Sequence, residues 1–441
     1  MDQETILIVG AGIFGVSTAY HLAQRLSDPS RIILLDRAPP SNTLAASADI
    51  NKIIRADYSS PLYMELGFEA IKAWQTLPFF QNQNQNQNHN ADPDAGVYHQ
   101  SGWIAMDEKG SDVPRLIREN FRAGKHDGVI VDMEEDEVRT AWGGLLERTD
   151  YAPFGSYYFN QTAGWVDAGR ALEIMLREAI ELGIRYETVE ARRVVFLEGA
   201  GVQGIETEVG SVLRADKVLL ATGAWTSKLM SSLEDELSID HGDRVENQVS
   251  AAGVCVAHFR LSDAEREVYS KLPVLVYGGQ GEVIPPTSSG ILKFTSTTSF
   301  NNTVRTATGH EISVPIEDQT SAPRGLQEDS IAAVHARLPQ LLDNGRKPGY
   351  YRLCWDAISA SQHPLITRHP DPRLANLYFA VGGSFHFYKF LPIIGKYVVN
   401  VLMGVGNGPA KDKAWSWKSV EEIERGVHES LVPKREFKDF L

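Results

Sequence analysis

Residues 5–36 decide the fold: TILIV at 5–9, GAGIFG at 10–15, VSTAYHLAQRL at 16–26, RIILL at 31–35, then Asp36. The first and last runs are short, apolar and β-branched, as strands buried on both faces require. The segment between them carries apolar residues at helical spacing. Each glycine has a separate task. Gly10 permits a tight turn, Gly12 lets backbone approach a pyrophosphate, and Gly15 lets helix and strand pack closely. The helix start then offers free N–H groups and the positive end of its dipole to phosphate. Asp36 stands about twenty residues beyond the glycines, where a ribose-binding acid belongs. The pattern implies a Rossmann-type dinucleotide site. It does not by itself separate FAD from NAD.

The chain has 441 residues, more than one hydrophobic core ordinarily serves, so two domains are expected. Apolar residues make up 43% and charged residues 23%, as in soluble globular proteins. The net charge is −14 and no block of Lys and Arg stands out, which argues against a nucleic-acid partner. No apolar run reaches the length of a membrane span, and the acidic start with a short apolar run does not resemble a signal peptide. The final Asp439-Phe440-Leu441 is not the usual peroxisomal address, so a cytoplasmic location is expected by default; a monomer is also expected. Two cysteines, Cys255 and Cys354, support neither a disulfide framework nor a zinc site, and no metal is expected.

Working outward, the polar tract FFQNQNQNQNHN at 79–90 reads as a loop. Residues 167–182 read as a helix, with 192–196, 202–205 and 217–220 as strands. The last strand runs into Ala221-Thr222-Gly223-Ala224-Trp225, a small-residue turn suited to lie against a dinucleotide. From about 227 to 342 strand-like runs dominate without a strand–helix rhythm, which points to a mainly antiparallel sheet. A strand at 378–381 and a helix at about 392–403 then rejoin the first domain. The fold class is α/β (α+β): a glutathione-reductase-like, Rossmann-type domain with an inserted antiparallel substrate domain. Residues 1–80, 150–226 and 345–441 are expected to form the first, 91–149 and 227–344 the second, and 81–90 a low-complexity loop.

Four segments resemble the monomeric sarcosine oxidase family, which includes fructosyl amino acid (amadoriase), pipecolate and saccharopine oxidases. They are DINKIIRADY at 49–58, GILKF at 290–294, RLCWDA at 352–357 with HPLI and HP following, and GGSFHFYKFLP at 382–392. GWVDAGRAL at 164–172 also fits, as a structural entry to a helix. The resemblance implies FAD, attached covalently through Cys354. It implies that Arg55 and Lys389 grip a substrate carboxylate, Lys52 lies near the flavin, and Lys293 promotes reaction of reduced flavin with oxygen. Guanidinium matches carboxylate with two parallel donors, and an ammonium stabilises developing superoxide. The cofactor wall is expected to comprise Gly10, Gly12, Ile13, Phe14, Gly15, Asp36, Arg37, Ser47 and Lys52. It continues through Ala221, Gly223, Trp225, Cys354, Asp356, Gly383, Phe385, His386 and Lys389, and the helix after 392 turns its dipole toward the flavin.

The implied reaction oxidises the C–N bond of a secondary amine carried by an amino acid. Hydride equivalents pass to flavin N5, the imine hydrolyses, and oxygen becomes hydrogen peroxide. The partners are that amine and oxygen. Family members usually carry glycine where Phe385 and Phe387 stand, so these two must point away or reshape the pocket. Two other readings stay open: a nicotinamide-dependent dehydrogenase, which leaves Cys354 and Lys293 unexplained, and a flavin-binding scaffold without turnover.

Overall fold

In the computed structural model, residues 3–38, 44–81, 96–423 and 432–441 are described. The polar tract lies outside them from residue 82 onward, while Phe79 and Phe80 are buried in the main core.

The opening motif forms a strand, Ile6–Val9, a helix, Ile13–Ala23, and a second strand, Ile32–Asp36. They sit in a six-stranded sheet ordered 365–368, 377–381, 217–220, 6–9, 32–36, 185–188. All its pairings are parallel except that of the 365–368 edge. Alternate residues of these strands enter opposite cores. Ile6, Ile8, Ile32 and Leu34 pack among the helices 13–23, 168–181 and 394–402. Leu7, Val9, Ile33 and Leu35 pack on the other face with the 226–236 helix. Both faces are dry, which is why these strands read as unbroken apolar runs.

A second, larger sheet runs 350–358, 250–260, 291–301, 282–284, 274–276, 103–108, 154–160, 130–133, with 435–436 joining the 291–301 strand. It is antiparallel except where 274–276 meets 103–108 and 435–436 meets 291–301. Strands 154–160 and 350–358, grouped by sequence with the nucleotide-binding segments, run in this sheet. Its register creates one cross-strand row: Val256 opposite Thr295, Thr295 opposite Glu282, Glu282 opposite Val276, Val276 opposite Ala105, Ala105 opposite Tyr158. Because side chains alternate along each strand, all of these face the same side.

The helices 13–23 and 394–402 cross at glycine. A Cβ on Gly395 would stand 2.0 Å from the Ser17 carbonyl oxygen. The Gly395 N–H donates to Ser17 Oγ at 2.8 Å. Neither partner can yield without parting the helices, so Gly395→Ala is expected to cost about 1–3 kcal/mol through overpacking. Calorimetry checks this; an unchanged melting temperature would mean that the contact is loose.

Candidate active site

One cavity of about 780 Å³ lies between the two sheets. Its floor at one end is the glycine turn. Gly10 has φ +103°, and a Cβ there would collide with the Ala221 carbonyl at 2.4 Å. Gly12 faces the cavity, where a Cβ would meet only Ser47 Oγ, at 3.1 Å. No side chain caps the helix that starts at Ile13, so its first turn is open to an anion. The Asp36 carboxylate accepts the Ala11 N–H at 2.7 Å, which fixes the acid at the rim of the turn. Arg37 lies over the Trp225 ring at 4.2 Å. Ile13, Phe14, Ala221 and Gly223 complete this end.

Gly15 is different. It does not line the cavity, and a Cβ on it would stand 1.8 Å from the Gly10 carbonyl oxygen. It holds the close packing of helix against turn from behind.

The middle of the cavity is organised by Asp49. Its carboxylate accepts from Lys293 Nζ at 2.8 Å and pairs with Lys52 Nζ at 2.9 Å and Arg352 Nη1 at 3.6 Å. Lys293 also donates to the Asn51 carbonyl at 2.8 Å. Arg352 donates to the Ala48 and Ala45 carbonyls, so the 45–49 loop is pinned to the large sheet. Burial alone would raise the Asp49 carboxyl, but the three cations reverse this and hold it well below the usual range. Burial pulls Lys293 down against the opposing pull of Asp49, whereas at Lys52 the Asp49 charge outweighs burial and the ammonium is held above its ordinary range. Asp49 was not singled out from sequence. Its signal is the i, i+3 spacing to Lys52, which sequence alone cannot distinguish from a solvated pair.

Cys354 is buried against Val254, Val256, Ala46 and Phe385. Lys52 lies near enough to its sulfur for the two to interact electrostatically. Asp356 accepts the Phe385 N–H at 2.8 Å and approaches Gly383 so closely that a Cβ there would meet its Oδ2 at 2.9 Å. Phe385 has φ +62° and Ser384 φ +47°, so this loop keeps a backbone that ordinarily favours glycine. Phe385 and Phe387 both line the cavity, and Phe387 is also buried in the main core, where it stacks on Phe14 at 5.6 Å.

At the far end Arg55 lies over the rings of Tyr58, at 4.4 Å, and Trp103, at 5.0 Å, and donates to the Asp57 carbonyl. Lys389 is buried and donates to Tyr58 Oη at 2.9 Å and to the His386 carbonyl. The Tyr58 hydroxyl meets His386 Nδ1 at 2.9 Å, and His386 Nε2 meets the Gln362 carbonyl at 2.9 Å. Glu282 and Tyr158 of the cross-strand row, and Asp107, also line the cavity. Burial pushes Asp107 up to about 6 against the pull of Arg118. These residues escaped sequence reasoning because only strand register brings them to the cavity.

The Asp49 cluster makes a stability prediction. Breaking a buried ion pair costs about 3–5 kcal/mol, so Asp49→Asn should melt well below the wild type at neutral pH. The folded carboxyl lies below its unfolded value of about 3.9. The stabilisation is therefore complete above that pH and is lost as pH falls through the folded value. The gap between the two proteins should narrow in acid; a gap independent of pH would contradict the ionised cluster.

The residues fit a flavin dinucleotide: a glycine turn with an open helix start, an acid beside it, and Cys354, Lys52 and Lys293 along a continuous cavity. Comparisons agree. The chain is 27% identical over 438 residues to L-saccharopine oxidase of Schizosaccharomyces pombe, covering 94% of this chain and 93% of that one. It is 22% identical over 404 residues to monomeric sarcosine oxidase of a Bacillus species, covering 89% and 90%. The crystal structure of fructosamine oxidase (Amadoriase II) from Aspergillus fumigatus superposes with a TM-score of 0.79 at 25% identity, covering 100% of this chain and 97% of that one. A model described as FAD dependent oxidoreductase matches residues 5–401, and the chain belongs to that family.

Proposed function

We propose that this protein is an oxidase of a secondary amine carried by an amino acid, with the flavin joined to Cys354 and oxygen as acceptor. The observation that carries the reading is the pairing of Arg55 and Lys389 on the Tyr58 ring, at 4.4 and 5.2 Å, in the same cavity as the glycine turn. A guanidinium and a lysine amine beside one tyrosine suit a carboxylate. Bound there, an amino acid has its nitrogen directed along the wall that holds Cys354 and Lys293. When bound, the flavin supplies the two-electron chemistry. The chain's own residues anchor the carboxylate, orient the amine and keep water out. Lys293, held by Asp49, keeps a positive charge beside the path of oxygen. The glycine-turn segments form the FAD-binding domain, the large sheet the substrate domain, and the enzyme works as a cytoplasmic monomer.

Relatives named for saccharopine, sarcosine and fructosamine favour N-substituted amino acids as substrates. The test is hydrogen peroxide release in air from a panel containing saccharopine, N-methylglycine, pipecolate and fructosyl-lysine. Turnover of one class supports the oxidase; no peroxide from any of them favours the inactive scaffold.

Three variants test the named roles. Cys354→Ser should release its flavin on acid precipitation; flavin retained in the pellet places the attachment elsewhere. Lys293→Met should slow reoxidation by oxygen by at least tenfold, about 1.4 kcal/mol of barrier, with a smaller effect on reduction. Equal effects would remove its oxygen role. Arg55→Ala should weaken carboxylate inhibitors by about 10–100-fold, the loss of a charge-assisted bond of about 1.5–3 kcal/mol. Unchanged inhibition would take Arg55 out of the site.

A further inference from the structure

Lys389 is 3% exposed and lines the cavity. Its polar contacts are both neutral: Tyr58 Oη and the His386 carbonyl. The direction of these bonds is set from the far end. The Gln362 carbonyl can only accept, so His386 Nε2 carries the ring proton. His386 Nδ1 must then accept, and the Tyr58 hydroxyl donates to it. Tyr58 Oη in turn accepts from Lys389 Nζ. Two N–H bonds of Lys389 are given to Tyr58 Oη and the His386 carbonyl, and its third valence is left for the cavity it lines.

The charges facing Lys389 are unequal. Arg55 shares the Tyr58 ring with it. Glu282, across the cavity, and Asp57, beside Arg55, act on it only through space. Burial, and then Arg55, hold the amine well below its ordinary range despite those two carboxylates. Burial, neutral partners and a guanidinium neighbour all disfavour the charged form of this lysine.

We propose that Lys389 accepts the proton of the substrate's ammonium as the carboxylate docks, so that the amine becomes neutral and the carboxylate gains its second cation in one event. The inference rests on the amine-oxidase reading given above. An amino acid arrives as carboxylate and ammonium. One N–H bond of the ammonium breaks, its electron pair stays on nitrogen, and the proton forms a new bond to the Nζ lone pair. No oxidation state changes. The products are a free amine, whose lone pair can assist loss of hydride from the adjacent carbon, and a lysine ammonium that pairs with the carboxylate beside Arg55. Neither charge has to enter the cavity unpaired, which is otherwise costly.

Calorimetry on the flavin-loaded protein, in two buffers of different ionisation heat, counts the protons taken up on binding. The probe is the thioether analogue of the amino acid that proves to be the substrate, with sulfur in place of nitrogen. It brings a carboxylate and no proton. Between about pH 7.5 and 8.5, below the ordinary ammonium value of about 10.4, the wild type should take about one proton from buffer per thioether bound. Lys389→Arg, which is permanently charged, should bind the thioether with no uptake. Its rate of flavin reduction by the amine should rise with pH as free amine becomes available, and Lys389→Met should likewise show no uptake. Thioether bound by wild type without proton uptake, or with equal uptake by the variants, overturns the proposal and leaves the carboxylate site standing. Thioether that does not bind at all, while the amine still bleaches the flavin, removes the carboxylate site and this proposal with it.

Discussion

The ion pair between Asp49 and Lys293 joins the two halves of the molecule. Asp49 belongs to the loop that follows the dinucleotide motif; Lys293 belongs to the large sheet. Their contact, with Lys52 and Arg352 around it, fixes how the glycine turn faces the cross-strand row. Three cations and one carboxylate leave the cluster net positive. That charge lies midway along the cavity, where it favours an anionic group. Removing any cation would spare less than it exposes, since the carboxylate is buried.

From that anchor the cavity divides by chemistry. At the glycine turn the partners are backbone N–H groups, a carboxylate at the rim and an Arg–Trp stack. At the far end they are aromatic faces carrying Arg55 and Lys389, opposed by Glu282 and Asp107. Between them lies Cys354, walled by valines and by Phe385. A dinucleotide suits the first region; on the function proposed above, the amino acid takes the second and the reacting atoms meet in the third.

Much of this was legible in the sequence and the rest had a physical reason to be hidden. Residues 5–36 declare themselves because glycine spacing and a terminal acid are local. The helix at 168–181 and the strand at 217–220 follow from apolar periodicity, also local. Cys354, Arg55, Lys293 and Lys389 were found through resemblance, not through spacing. Glu282, Asp107 and Tyr158 were missed because they become neighbours only through the register of strands far apart in the chain. Asp49 was missed because its burial depends on Lys293, 244 residues away. Phe385 and Phe387 signalled an altered pocket. Both line the cavity: Phe387 is buried against Phe14, and Phe385 holds a left-handed backbone conformation with its N–H bonded to Asp356.

The absorption spectrum of the freshly purified protein, followed by anaerobic addition of a secondary-amine amino acid, tests the central claim most directly. The account predicts the bands of oxidised flavin and their bleaching when the amine is added, with colour returning on admission of air. A colourless protein would contradict the dinucleotide reading of the cavity, and a yellow protein that no such amine bleaches would contradict the amine site at its far end.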